Sequence, residues 1–366
     1  MVVDTDALAH EGVELVLGQT TTIGVRSREL TAAALALVPT EQPDRPEVSD
    51  VLEVAHASLM HVDLPHERLA VASRVLTSAR AGGDRELEAR ALLMRGSDRL
   101  ALGRFADGWS DYAAARELAL TQGQPIVDVI VRYAEVLRPL AEGRPDDAEQ
   151  LLAQVVALHR RTTIVSADVL EPLFQLNVDL VYGGPTRWAR AERLVDLMPA
   201  GPLDELRALV LQRTGRAADV PGLLGDWADQ RPLDDDFLWL YTTAYRAEVW
   251  AGLGDLEAAA ALRDRLLPYR GLPVWVGTGV GLAGFTDHYL GLLARTLGEL
   301  DEAVAQLEAA RDQAAGEGMA AFEVLTTHEI ARTLARRGRP GDAAEATRLA
   351  AEAATRASRI GLVLPR

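Results

Sequence analysis

No cysteine and no lysine occur among the 366 residues of this chain, so all 38 of its basic side chains are arginine. The missing cysteine excludes disulfides, thiolate zinc sites, iron–sulfur clusters and cysteine nucleophiles. The missing lysine excludes a complete phosphate-cradling Gly-rich loop and all Schiff-base chemistry. GQTTTIG (18–24) has the outline of such a loop but not its lysine, and reads as an ordinary loop. Positive charge is scarce too: 54 Asp and Glu against 38 arginines leave a net charge of −16. Nucleic acid and anionic membranes both demand clustered positive charge, so neither is expected as a partner. Apolar runs stop short of the roughly 18 to 20 residues that cross a bilayer. The first residues carry Asp4, Asp6, Glu11 and Glu14 where a secretion signal would be basic. A cytoplasmic protein is expected.

What the chain does have is repetition. LGRFADGWSDYAAARELA (102–119) returns in outline as GRPDDAEQLLAQVVAL (143–158), GDLEAAAALRDRLL (254–267), GELDEAVAQLEAARDQA (298–314) and GRPGDAAEATRLAAEAA (338–354). Aligned on their glycines, Gly103, Gly143, Gly184, Gly215, Gly254, Gly298 and Gly338 lie 40, 41, 31, 39, 44 and 40 residues apart. A period near 40 across most of a chain is the mark of stacked supersecondary units. Each unit reads as two helices. An apolar-periodic stretch such as DHYLGLLARTL (287–297) precedes the glycine, and an alanine-rich amphipathic stretch follows it. The glycine stands where the first helix stops and the chain reverses. Small residues five after it (Gly108, Ala148, Ala259, Ala303, Ala343) and seven before it (Gly96, Ala247, Gly291, Ala331) mark a close approach of the two helices. No useful period-two alternation interrupts the pattern, so essentially no β-sheet is expected. Prolines and acids in VPTEQPDRPEVSD (38–50) separate an irregular helical cap, residues 1–47, from one continuous array, residues 48–366.

This spacing resembles the tetratricopeptide repeat, whose usual unit is about 34 residues, here with longer helices. The resemblance implies an all-α, right-handed superhelical solenoid of about seven helix pairs. The segment 266–310, with 331–353 and 84–119, is similar to the helical-repeat region of large actinobacterial ATPase regulators of the LuxR-type or cyclase-linked kind. That resemblance implies a setting in transcriptional or signalling regulation. Their ATPase module and a helix-turn-helix extension after Arg366 are both absent from the sequence, so ATP hydrolysis and DNA binding are not carried over.

Repeat solenoids curve and line their concave face with the first helix of each pair. Counting each glycine as position 15, positions 2, 5, 9, 12 and 13 face inward. These include Tyr241 and Glu248 in one unit, Phe285, His288 and Arg295 in the next, and His328, Arg332 and Arg336 in the last. His328, Arg332 and Arg336 follow one another at four-residue steps along a single helical stripe. Arginine forks suit carboxylates and phosphates, so the expected occupant is a partner protein, a peptide segment or a small anionic effector. Alternatively the arginines pair with Glu323, Glu329, Asp342 or Glu345 and only solubilise the groove.

No catalytic motif is present, and no cofactor is expected. The seven histidines form no HxxxH or HExxH pair, and no GxSxG occurs. Asp287 and His288 point to adjacent faces of one helix. DDDF (234–237) reads as a helix cap. The aromatic cluster FLWLYTTAYRAEVW (237–250) and the Gly-rich connector GLPVWVGTGVGLAG (271–284) read either as repeat-to-repeat core or as a loop shaping a ligand pocket. A non-enzymatic scaffold is the first expectation. A small-molecule-processing or enzyme-accessory protein with a pocket near His288, His328 and Arg332 is the alternative, and a homodimer is allowed.

Overall fold

A computed structural model describes residues 65–162, 167–197, 204–227 and 238–365, together with Leu52, Glu53, Ala55, His56 and Leu59. The expected cap (1–47), the GQTTTIG loop and DDDF (234–237) lie outside the described residues. The fold is mostly helical. Helix α1 (Pro65–Gly82) is followed by seven pairs: α2 (Arg85–Ala101) with α3 (Phe105–Gln122), α4 (Pro125–Glu142) with α5 (Pro145–His159), and α6 (Ala167–Tyr182) with α7 (Pro185–Leu197). Then come α8 (Asp204–Arg213) with the short α9 (Val220–Leu224), and α10 (Trp239–Leu253) with α11 (Leu256–Leu266). The last two pairs are α12 (Thr286–Thr296) with α13 (Leu300–Gly316), and α14 (Ala320–Arg337) with α15 (Asp342–Arg359). Among the described residues no helix is long and apolar enough to cross a membrane.

The seven aligned glycines all sit in the turn inside a pair, with φ between 67° at Gly338 and 92° at Gly143 and Gly184. That left-handed backbone is one most side chains adopt only with strain. Asp84 caps α2 by accepting from the Leu87 amide at 2.9 Å, and Asp255 caps α11 by accepting from the Ala258 amide at 2.9 Å. Pro125 and Pro145 occupy first turns, where a missing N–H is harmless. The small residues act as the spacing predicts at most positions. A Cβ on Gly96 would lie 2.5 Å from the Tyr112 ring, and one on Gly291 would lie 2.5 Å from Leu307 Cγ. Ala148, Ala259 and Ala303 are fully buried. Ala343 is exposed instead, and Ala346 is buried in its place. The reason is the last turn: α15 starts four residues after its glycine, whereas α3, α5, α11 and α13 start two after theirs.

The expectation of no β-sheet is corrected. Residues of the Gly-rich connector form an antiparallel hairpin, β1 (Pro273–Val276) and β2 (Gly281–Phe285), with Trp275 opposite Leu282 and a bulge between Pro273 and Trp275. Every residue of both strands is buried. The hairpin packs against α2, α4, α6, α10, α12 and α13. Strand geometry sends alternate side chains to opposite faces. Trp275 and Leu282, opposite each other, accordingly enter one apolar core, and the bulge brings Phe285, three residues on, to the same side. That core is shared with α1–α6, α13, α14 and the C-terminal segment. Val274, Val276 and Ala283 enter a second core, built on α8–α12. The hairpin is the common wall of the two.

The C-terminal pair also returns to the first half of the chain. Helix α14 packs on α4, Ile360 lies against Gly143, and the Val363 amide donates to the Tyr182 carbonyl at 2.8 Å.

Candidate functional site

A polar stripe runs across α8, α10, α12 and α14. Most of its members stand at helix positions that repeat from one pair to the next. Arg213 on α8 is ion-paired with Glu248 on α10. His288 on α12 hydrogen-bonds through Nδ1 with Thr326 Oγ1 on α14 at 2.9 Å. Arg295, two turns further along α12, lies 2.5 Å from Glu329 Oε2 on α14. Glu329 also accepts from Arg332 at 3.2 Å, one turn on. Arg332 is half exposed, and Arg336, the next residue of the stripe, is exposed with no partner among the described residues.

The electrostatics follow from burial and neighbours. Burial pushes the Glu329 carboxyl up, but the guanidinia of Arg295 and Arg332, with His288, outweigh it and hold it at about 2. It therefore stays ionised. Burial lowers the His288 imidazole below its ordinary value, with Glu329 and Glu248 opposing. It lowers His328 too, with Glu329 opposing. Both rings are thus shifted towards the neutral form, and the buried His328 Nε2 has no hydrogen-bond partner among the described residues. Three arginines against one carboxylate leave surplus positive charge at the α14 end.

Glu248, His288, Arg295, His328, Arg332 and Arg336 are therefore brought together in one stripe. Tyr241 and Phe285 are not part of it. Tyr241 is buried, donates to Asn177 Oδ1 at 2.6 Å and abuts Gly281 of the hairpin. Phe285 belongs to β2 and packs edge-on against Phe105 at 6.4 Å. The hairpin occupies the interior at both places. The arginine-pairing alternative is met in part: Glu329 does bind two arginines, while Glu323 pairs with Arg356, Asp342 with Arg337 and Glu345 with Arg348. Arg213 completes the stripe without having been singled out from the sequence, and Glu329, expected only as one of four acids that could pair with its arginines, stands at its centre. Arg213 occupies inward position 13 of the unit ending at Gly215, so the same count would have found it. Glu329 occupies a position outside that count.

Elsewhere, His56 Nε2 lies 2.8 Å from Asp98 Oδ2, and Asp98 also binds Arg68 at 2.7 Å. This buried network joins the segment before α1 to α2. Asp287 accepts from the Gly271 amide at 2.5 Å and anchors the start of the hairpin connector, away from its neighbour's contact with Thr326. Among the described residues no three His, Asp or Glu side chains are grouped so as to hold a metal ion. No model of a known protein family matches the chain, and no curated protein is similar to it in sequence.

Proposed function

We propose that this protein is a non-enzymatic binding scaffold of the cytoplasm: a right-handed solenoid of tetratricopeptide-like helix pairs, working in transcriptional or signalling regulation. Its α14 stripe takes an acidic segment of a partner protein or a small anionic effector. The observation that carries this reading is the charge count at that end. Arg295, Arg332 and Arg336 face one carboxylate, Glu329, on a protein of net charge −16. A forked guanidinium with N–H donors to spare is suited to a bidentate carboxylate or phosphate. On an acidic surface, a local positive end also orients an acidic partner.

Fluorescence anisotropy with a labelled hexaglutamate peptide tests it. Saturable binding that weakens with salt and is lost in the Arg332→Ala/Arg336→Ala double variant is the expected result. Equal binding by the variant, or none by the parent at low ionic strength, overturns it.

The second reading, a small-molecule-processing or enzyme-accessory role, is favoured by one observation, the buried and unpartnered His328 Nε2. Its signature is a thermal shift with inorganic phosphate or citrate that His328→Gln abolishes and that the hexaglutamate peptide does not reproduce.

A further inference from the structure

Three of the six tryptophans gather beside the face of α10 turned away from Tyr241 and Glu248. Trp239, Thr243, Arg246 and Trp250 succeed one another at steps of four, three and four, which puts them on one stripe of the helix. Trp227 closes the stripe at one end, 5.3 Å edge-on from Trp250, with its face 4.9 Å from the Arg246 guanidinium. Arg265 covers Trp239 at 5.1 Å at the other end. Glu205 on α8 lies 3.7 Å from Arg246, and both are almost fully buried.

Four polar atoms here are buried without a hydrogen-bond partner among the described residues: Trp239 Nε1, Thr243 Oγ1, Trp250 Nε1 and Glu205 Oε2. Native proteins bury few such atoms, and a row of them on one helix face calls for an occupant. The set is chemically specific. It holds two indole N–H donors and a hydroxyl on α10, a guanidinium between them, and one carboxylate acceptor opposite. Burial raises the Glu205 carboxyl and lowers the Arg246 guanidinium, as befits charges kept from water.

We propose that this stripe binds a small molecule carrying a carboxylate beside an N–H or O–H donor, an α-amino or α-hydroxy acid. The ligand's carboxylate accepts from Trp250 and Thr243 and faces Arg246, while its neighbouring donor reaches Glu205 Oε2. Trp239 supplies a further donor along the same row. Trp227 and Arg265, at the two ends of the stripe, are both only half buried. The site lies on the opposite face of α10 from the arginine stripe and is independent of it.

Indole N–H signals report on it directly. The full chain, labelled with nitrogen-15, gives one indole cross-peak per tryptophan, each assigned by Trp→Phe substitution. The probes are the proteinogenic amino acids, lactate, malate and acetate. The expected result is a saturable shift of the Trp239 and Trp250 signals with an amino or hydroxy acid, while Trp109, Trp188 and Trp275 stay put. Trp250→Phe, and independently Thr243→Val, should weaken that binding about tenfold, the usual consequence of losing one hydrogen bond to a charged group. Glu205→Gln should weaken the amino or hydroxy acid but leave acetate unchanged. Signals that stay fixed with every probe mean ordered water only and overturn the proposal. So do affinities unaltered by both Trp250→Phe and Thr243→Val.

Discussion

Ser97 on α2 donates its hydroxyl hydrogen to the carbonyl of Gly277, 180 residues further along the chain, at 2.7 Å. One helix away, Tyr112 on α3 donates to the neighbouring Thr278 carbonyl at 2.8 Å. The tip of the hairpin is thus held by side chains of the first helix pair, and its backbone acceptors are satisfied inside the molecule rather than by water. A carbonyl kept from water and left unpaired is costly, and these two bonds, with that of Trp275 Nε1 to the Gly277 carbonyl at 3.0 Å, satisfy the acceptors of this partly buried tip.

Replacing Tyr112 by Phe removes one of them without changing the ring. The partly buried Thr278 carbonyl then loses its Tyr112 donor, and stability to urea should fall by about 0.5–1.5 kcal/mol. An unchanged urea midpoint would show the hairpin tip to be hydrated.

The glycines separate into two kinds by their response to substitution. Gly291→Ala places a methyl 2.5 Å from Leu307 Cγ and 3.1 Å from the Ala303 carbonyl. It should cost about 1–3 kcal/mol through overpacking. Gly338 has open space around its Cβ position but a φ of 67°. There Ala should cost about 1 kcal/mol, and Asn, which tolerates the left-handed region, should cost less. Thermal unfolding of the three variants distinguishes a steric demand from a backbone one.

Acid should unfold the polar stripe in two stages. His288 and His328 have folded values below 6.5, so their neutral forms favour the folded state above that pH and the stabilisation is lost as pH falls below it. Glu329, at about 2 against an ordinary 4.5, adds stability that is complete above 4.5 and lost between the two values. Urea unfolding against pH should decline through both windows. His288→Gln should make the upper one shallower, leaving the share of His328, and keep the lower in place.

Glu329→Gln should move stability and binding in opposite directions. Removing the carboxylate leaves Arg295 and Arg332 uncompensated, at a cost of about 3–5 kcal/mol where the pair is buried. The same change increases the surplus positive charge, so affinity for hexaglutamate should rise. A fall in both would tie anion binding to the fold rather than to charge.

Much of this architecture is legible in the residue order. The glycine period marked all seven intra-pair turns, because a left-handed turn demands glycine wherever it falls. The same count brought Glu248, His288, Arg295, His328, Arg332 and Arg336 onto one stripe, since helix periodicity carries a position into a direction. Ala343 shows the limit: a turn two residues longer turned the face of α15 and handed its role to Ala346.

By itself, then, the sequence determined the predominance of helix, the glycine turns, the exclusion of lysine and cysteine chemistry, and the shared helix face of six of the stripe's side chains. Only the tertiary structure decided what fills the interior. The hairpin was invisible in advance because both its faces are buried, Trp275 in one core and Val276 in the other. A strand of that kind has no polar alternation to read. Its glycines mimic a loop, although Gly279 is a site of close approach, where a Cβ would meet Ala134 at 2.5 Å. Tyr241 and Phe285 therefore face protein rather than solvent, whereas Arg332 and Arg336 of α14 are exposed.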